Sequence, residues 1–261
     1  MDLLGISIFG MKLFIGVILL AFLSEFMNAI FGGGHGTILT PLLILVGFSP
    51  HAIVPSVLLA EVVSGILVGV AHHSIGNINF GKNSIHLKKA VALGLTSIVG
   101  AILAVLIAIR LSTFILELYI GLLILFLGIL ILLTKNMRFK FSWRKLMAIG
   151  LFASFNKGIS GAGYGPLITA GQLLTGAKSK HAVSISSLAK GLASGTAVIA
   201  YLFIDKHIEW ILAPSLIIGA ILSVPLTAFV VKKMQDESLR LLIGILAILL
   251  GVSTLLKIMV W

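Results

Sequence analysis

Cysteine is absent from the 261-residue chain, which excludes disulfides, thiol chemistry and any cysteine-based metal site. Charge is scarce as well. Only 10% of residues are charged, and 8 acidic residues stand against 19 basic ones. Soluble domains carry about 25% charge, so this chain has too little to cover a water-facing surface. Hydrophobic residues fill the gap at 59%, with a mean hydropathy of +1.20. Apolar runs of about 20 residues, each long enough to span a bilayer, recur from end to end. The composition predicts an all-α polytopic membrane protein. The net charge of +11 does not point to nucleic acid, because the basic residues fall in short loops between apolar spans. Lys12 and the run Leu13–Leu23 have the form of a signal peptide. We read a retained helix instead, because Glu25 and Asn28 continue the segment and no small-x-small cleavage pattern follows it.

The most informative pattern is a repeat. "GGGHGTILT" at 32–40 matches "GAGYGPLIT" at 161–169, aligning Gly32, Gly34, Gly36 and Thr40 with Gly161, Gly163, Gly165 and Thr169. One inserted residue later, Ala52, Ser56, Ser64 and Gly65 align with Ala182, Ser186, Ser194 and Gly195. Two halves with matching Gly-interrupted segments point to a secondary-transporter architecture. The expected helical pieces are about 12–31, 36–47, 52–73, 85–109 and 113–133, then 143–160, 164–175, 180–204, 208–231 and 237–260. The second piece of each half, at some 12 residues, covers roughly 18 Å against a core of about 30 Å. Each half is therefore expected to be a Gly-broken re-entrant hairpin plus three transmembrane helices. The first repeat is 1–134, a basic cytoplasmic linker 135–145 and the second repeat 146–261, all in one integral membrane domain. Three crossings per half invert the second half. Lys82, Lys88, Lys89, Lys135, Arg138, Lys140, Arg144, Lys145, Lys178, Lys180, Lys232, Lys233 and Arg240 then face the cytoplasm, against Lys12, Arg110, Lys206 and Lys257 outside. An eight-span layout with parallel halves stays open.

Broken backbone at membrane depth survives only where protein or a wet cavity satisfies its free N–H groups. Two such breaks facing each other aim helix N-termini at one place, which suits an anion. The expected substrate-binding groups are Gly32, Gly33, Gly34, His35 and Gly36 in the first break, and Gly161, Ala162, Gly163, Tyr164 and Gly165 in the second. Lys190 lies mid-span with Ser186 and Ser194 one turn away on either side, and Ser56 and Ser64 form the matching face of the first half. Lys157, next to the second break, and its repeat mate Asn28 join the set. Glu25 and Glu61 are candidates for proton coupling, with ion pairing to Lys190 or Lys157 as the alternative. His72 and His73 end a helix as interfacial residues, too few for a metal site. No cofactor is implied, and no H-E-x-x-H, Walker A or G-x-S-x-G motif is present.

The block "FGGGHGTILTPLLILVGFSPHAIVPSVLL" and its second copy "ISGAGYGPLITAGQLLTGAKSKHAVSISSLAKG" resemble the sulfite exporter TauE/SafE family of permeases. The resemblance covers essentially the whole chain. It implies a bacterial or archaeal inner-membrane carrier linked to sulfite, sulfonates and related organosulfur anions, often as an exporter. The expected function is a non-enzymatic secondary transporter of a small oxyanion by alternating access. An anion-selective channel is the runner-up, followed by an intramembrane enzyme. The expected partners are the small anionic substrate and the lipid bilayer, with a homo-oligomer left open.

Overall fold

The computed structural model describes residues 5–8, 11–31, 35–133, 141–175, 177–204, 210, 212–233, 245 and 248–258. A short antiparallel hairpin, β1 (Gly5–Ile8) and β2 (Met11–Phe14), precedes the helices. They are α1 (Ile15–Phe31), α2 (His35–Val46), α3 (Pro50–Ser74), α4 (Ile85–Ala108) and α5 (Thr113–Leu133), then α6 (Trp143–Ser160), α7 (Tyr164–Leu174), α8 (Ser179–Ile204), α9 (Ala213–Lys233) and α10 (Ile248–Ile258). Among the described residues, five helices are long and apolar enough to cross a membrane: α3, α4, α5, α8 and α9. The chain is a multi-pass membrane protein.

Local chemistry sets these boundaries. The first helix starts at Ile15 rather than near 12, because Lys12 and Leu13 pair in the hairpin with Ser7 and Ile6. Phe14 N–H then donates to Ser215 Oγ at 3.0 Å, fixing the start of α1 beside the start of α9. α2 stops after 12 residues in a Schellman turn. There Gly47 sits at φ 105°, its N–H donates to Ile44 O, and Phe48 N–H reaches back to Leu43 O at 3.0 Å. Ser49 caps α3 by accepting from Ala52 N–H, with Pro50 as its first residue. Ser84 caps α4 in the same way through His86 N–H.

Packing pairs helices from the two halves. α1 lies on α9 and α6 on α4, while α3 packs against both α8 and α9, and α4 against α8 as well. Small residues allow close crossings. A Cβ on Gly65 would stand 2.7 Å from Gly191 N where α3 crosses α8, and one on Gly219 would stand 2.3 Å from Ile18 O where α9 crosses α1.

The buried apolar residues separate along the bundle. One cluster gathers Val54 and Leu58 from the start of α3, Val105 and Ala108 from the end of α4, and Leu116 from the start of α5. Ala200 and Tyr201 from the end of α8 and Ala213 from the start of α9 belong to the same cluster. A neighbouring cluster places α2 there, through Leu39, Leu43 and Ile44. The opposite cluster gathers Ile78, Ala90 and Leu93 with Tyr164 and Ile168 of α7 and Ile185 and Ala189 of α8. Contacts at the helix ends agree. Lys257 Nζ on α10 donates to Ile44 O at 2.7 Å and lies 3.6 Å from Glu117 on α5. At the other end, Lys180 Nζ donates to Lys232 O at 2.8 Å and Lys232 Nζ to Ile75 O at 3.4 Å.

Candidate functional site

The first turn of α2 meets the second break. α6 ends where Gly161 turns left-handed at φ 67°, and Gly163 follows at φ 85° before α7 begins. Gly161 N–H returns to Lys157 O at 2.7 Å, and Ser160 Oγ accepts from Ala162 N–H at 3.0 Å. Gly163 N–H donates across to Thr37 Oγ1 on α2 at 3.3 Å. Gly36, in the first turn of α2, lies so near the second break that a Cβ on it would fall 1.7 Å from Gly161 O. Gly32, Gly33 and Gly34 lie outside the described residues.

Around this backbone contact, four charged side chains and a histidine are buried, each from a different helix. Lys190 Nζ on α8 donates to both oxygens of Glu25 on α1, at 3.1 and 3.4 Å, and stands 3.9 Å from Glu61 Oε1 on α3. Lys157 Nζ on α6 donates to Glu61 Oε2, which also accepts from Ser194 Oγ at 3.3 Å. Glu61 Oε1 accepts Gly36 N–H at 3.2 Å, tying the first break into the network. His35 Nδ1 lies 2.9 Å from Glu25 Oε2 but off a hydrogen-bond direction, and its Nε2 has no hydrogen-bond partner among the described residues. Two carboxylates and two ammonium groups balance to zero. Buried alone, each would carry a heavy desolvation cost; together they satisfy one another.

The other expected residues are placed as follows. Tyr164 is buried with its ring 5.9 Å from Lys157 Nζ and its hydroxyl 3.3 Å from Ser97 Oγ. Ala162 and Gly165 are buried in the second break, and Asn28 is buried one turn beyond Glu25. The serine faces divide. Ser194 joins the ion cluster, while Ser186 accepts from Thr169 Oγ1 at 2.8 Å and Gln172 Nε2 at 3.4 Å in a satellite on α7. Ser56 Oγ donates to Ala52 O at 2.8 Å, and Ser64 Oγ is buried with no hydrogen bond among the described residues. His72 stands apart in the last turn of α3 and is buried within the protein, its Nδ1 accepting from Asn77 Nδ2 at 2.9 Å. Among the described residues no group of three or more side chains is suited to hold a metal ion.

Sequence reasoning left out Thr37, Thr40, Asn156 and Gln172. Thr40 Oγ1 is buried without a hydrogen bond among the described residues and faces Gly161, 3.3 Å from where a Cβ there would stand. Its alignment with Thr169 was the available signal. Asn156 accepts the Tyr119 hydroxyl and donates to Phe152 O at 2.6 Å, bracing the helix that carries Lys157.

Set beside known proteins, this architecture has a clear relation. The model of the family described as "Sulfite exporter TauE/SafE" matches residues 17–254. The chain belongs to that family. One relative is "Probable membrane transporter protein YtnM" of Bacillus subtilis (strain 168). It is 27% identical over 260 residues, covering 95% of this chain and 84% of the relative. No solved structure matches. This TauE/SafE protein is therefore a membrane transporter, and its matched region contains both breaks and all five residues of the buried cluster.

Proposed function

We propose that the protein is a secondary carrier in the cytoplasmic (inner) membrane for a small oxyanion, sulfite or an organosulfonate. It works by alternating access between two inverted halves. The observation that carries this reading is the buried Glu25–Lys190–Glu61–Lys157 network at the contact of the two breaks. A neutral cluster does not attract an anion as it stands. An incoming oxyanion replaces a carboxylate on a lysine, and the displaced carboxylate takes up a proton, so the net charge stays zero. One proton then travels with each negative charge, which assigns Glu25 and Glu61 to coupling and Lys190 and Lys157 to binding. His35 Nε2, Thr40 Oγ1 and Ser64 Oγ are buried polar atoms lacking hydrogen bonds among the described residues. Such groups are costly to leave unmade, and the oxygens of a bound oxyanion would satisfy them. The family's description as sulfite exporters supports the substrate class. Burial of the whole cluster fits the closed intermediate of a carrier better than the continuous wet path of a channel.

The inverted layout has its own support. Helix ends that the inverted topology assigns to one side share one apolar cluster, with α2 at that end and α7 at the other. Parallel halves would put Lys257 and Ile44, or Lys232 and Ile75, on opposite faces, yet each pair is hydrogen-bonded.

The test is uptake of sulfite and of a small sulfonate by reconstituted liposomes under an imposed pH gradient. Wild-type uptake is expected to follow the proton gradient. The double variant Lys190→Met/Glu25→Gln removes both charges at nearly the same side-chain volume, so it is expected to fold and to lose uptake by tenfold or more, on the order of 1.4 kcal/mol. Wild-type uptake by a folded double variant would overturn the assignment.

A further inference from the structure

A cavity of about 330 Å³ opens at the start of α4, lined by Lys82, Leu87, Lys88, Val91, Ala92 and Leu95. None of these residues belongs to the buried cluster. Lys82 comes from the turn before the helix, and Lys88, Val91, Ala92 and Leu95 follow at helical spacing on one face. Seven residues separate Lys88 from Leu95, about 10 Å along the axis. The groove therefore runs from a polar rim down an apolar wall. That wall continues toward the middle of the helix through Val99, Ile102 and Leu106, all exposed. The opposite face of α4, with Ala90, Leu93, Gly94, Ser97 and Ala101, is buried against α6 and α8.

The lysines at this end of the bundle differ in their engagement. Lys180 and Lys232 are held by backbone carbonyls, while Lys89 lies 4.3 Å from the Phe141 ring and Lys233 4.5 Å from the Phe229 ring. The ammonium groups of Lys82 and Lys88 form no ion pair or hydrogen bond among the described residues, and both side chains are exposed. Among the described residues they are two uncommitted cations above an uncovered apolar strip, at the end that carries the excess of basic residues. A free phosphate would neutralise the lysines but leave the strip bare. A zwitterionic lipid would cover the strip but bring its own cation to the lysines.

We propose that this groove binds one anionic phospholipid, its phosphate on Lys82 and Lys88 and an acyl chain on Val91, Ala92 and Leu95. Each lysine near a membrane surface strengthens attraction to anionic lipid by a modest amount, so the two together set a headgroup preference that one alone would not.

The experiment is native mass spectrometry of the full chain in detergent, titrated with phosphatidylglycerol, phosphatidylcholine or inorganic phosphate. One phosphatidylglycerol is expected to bind at least tenfold more tightly than phosphatidylcholine. Lys82→Ala/Lys88→Ala is expected to weaken phosphatidylglycerol binding by about tenfold or more, whereas the charge-matched pair Lys145→Ala/Lys178→Ala leaves it unchanged. Equal binding of the two lipids, or equal loss in both double variants, overturns the site. Displacement of phosphatidylglycerol by millimolar inorganic phosphate overturns the lipid as its occupant.

Discussion

Glu61 accepts from three directions at once: Lys157, Ser194 and the backbone of Gly36. Its charge therefore holds α6, α8 and α2 to α3. Removing one member of a buried pair leaves its partner charged and unsolvated, at a cost of about 3–5 kcal/mol, whereas removing both leaves little penalty. Glu61→Gln and Lys157→Met are each expected to lower the unfolding midpoint in detergent sharply, and the double variant to recover most of the loss. Additive losses would show that the two side chains are not coupled. The same logic explains what the sequence could and could not reveal here. Lys157, Lys190, Glu25 and Glu61 are conspicuous because ionisable residues in apolar runs are rare. Who pairs with whom is not legible, because the partners lie 96 and 165 residues apart and meet only through the crossing of the halves.

At the scale of elements, glycine positions that look alike in sequence carry different loads. Gly36 has no room: a Cβ would overlap the carbonyl of Gly161 and force the two breaks apart. Gly47 has a positive φ of 105° but nothing within 4 Å of a Cβ, so a side chain there meets only backbone strain, on the order of 1–2 kcal/mol. Gly36→Ala is expected to abolish uptake in folded protein, and Gly47→Ala to lower stability slightly while leaving uptake near wild type. Equal activity of both variants would mean that the contact between the breaks does not matter for transport. Most element boundaries were readable because breakers mark them: Gly47 and Pro50 between α2 and α3, and Gly161 and Gly163 between α6 and α7. The hairpin before α1 was not readable, since a short apolar run has no period that separates strand from helix. Residues 237–244, 246 and 247 lie outside the described residues, so of the long last piece expected over 237–260 only 245 and the helix Ile248–Ile258 are described.

For the whole molecule, exchanging the halves carries the packing of α1 on α9 into that of α6 on α4, and the crossing of α3 with α8 into itself. That is the relation expected of repeats about a two-fold axis, and the hand of the relation decides where each loop emerges. With inverted halves, the loop at Lys178 shares a side with Asn83 and Arg144, opposite Arg110. With parallel halves, Lys178 moves to the side of Arg110. The absence of native cysteine makes this directly measurable, because any introduced thiol is the sole one in the chain. Asn83→Cys, Arg110→Cys, Arg144→Cys and Lys178→Cys all replace exposed residues, so none disturbs the core. In sealed, oriented vesicles, an impermeant maleimide is expected to label Lys178→Cys from the side that labels Asn83→Cys and Arg144→Cys, and to label Arg110→Cys only from the other. Labelling of Lys178→Cys together with Arg110→Cys would make the halves parallel. The two breaks would then enter from the same side, and the carrier mechanism built on their opposed approach would fail with them.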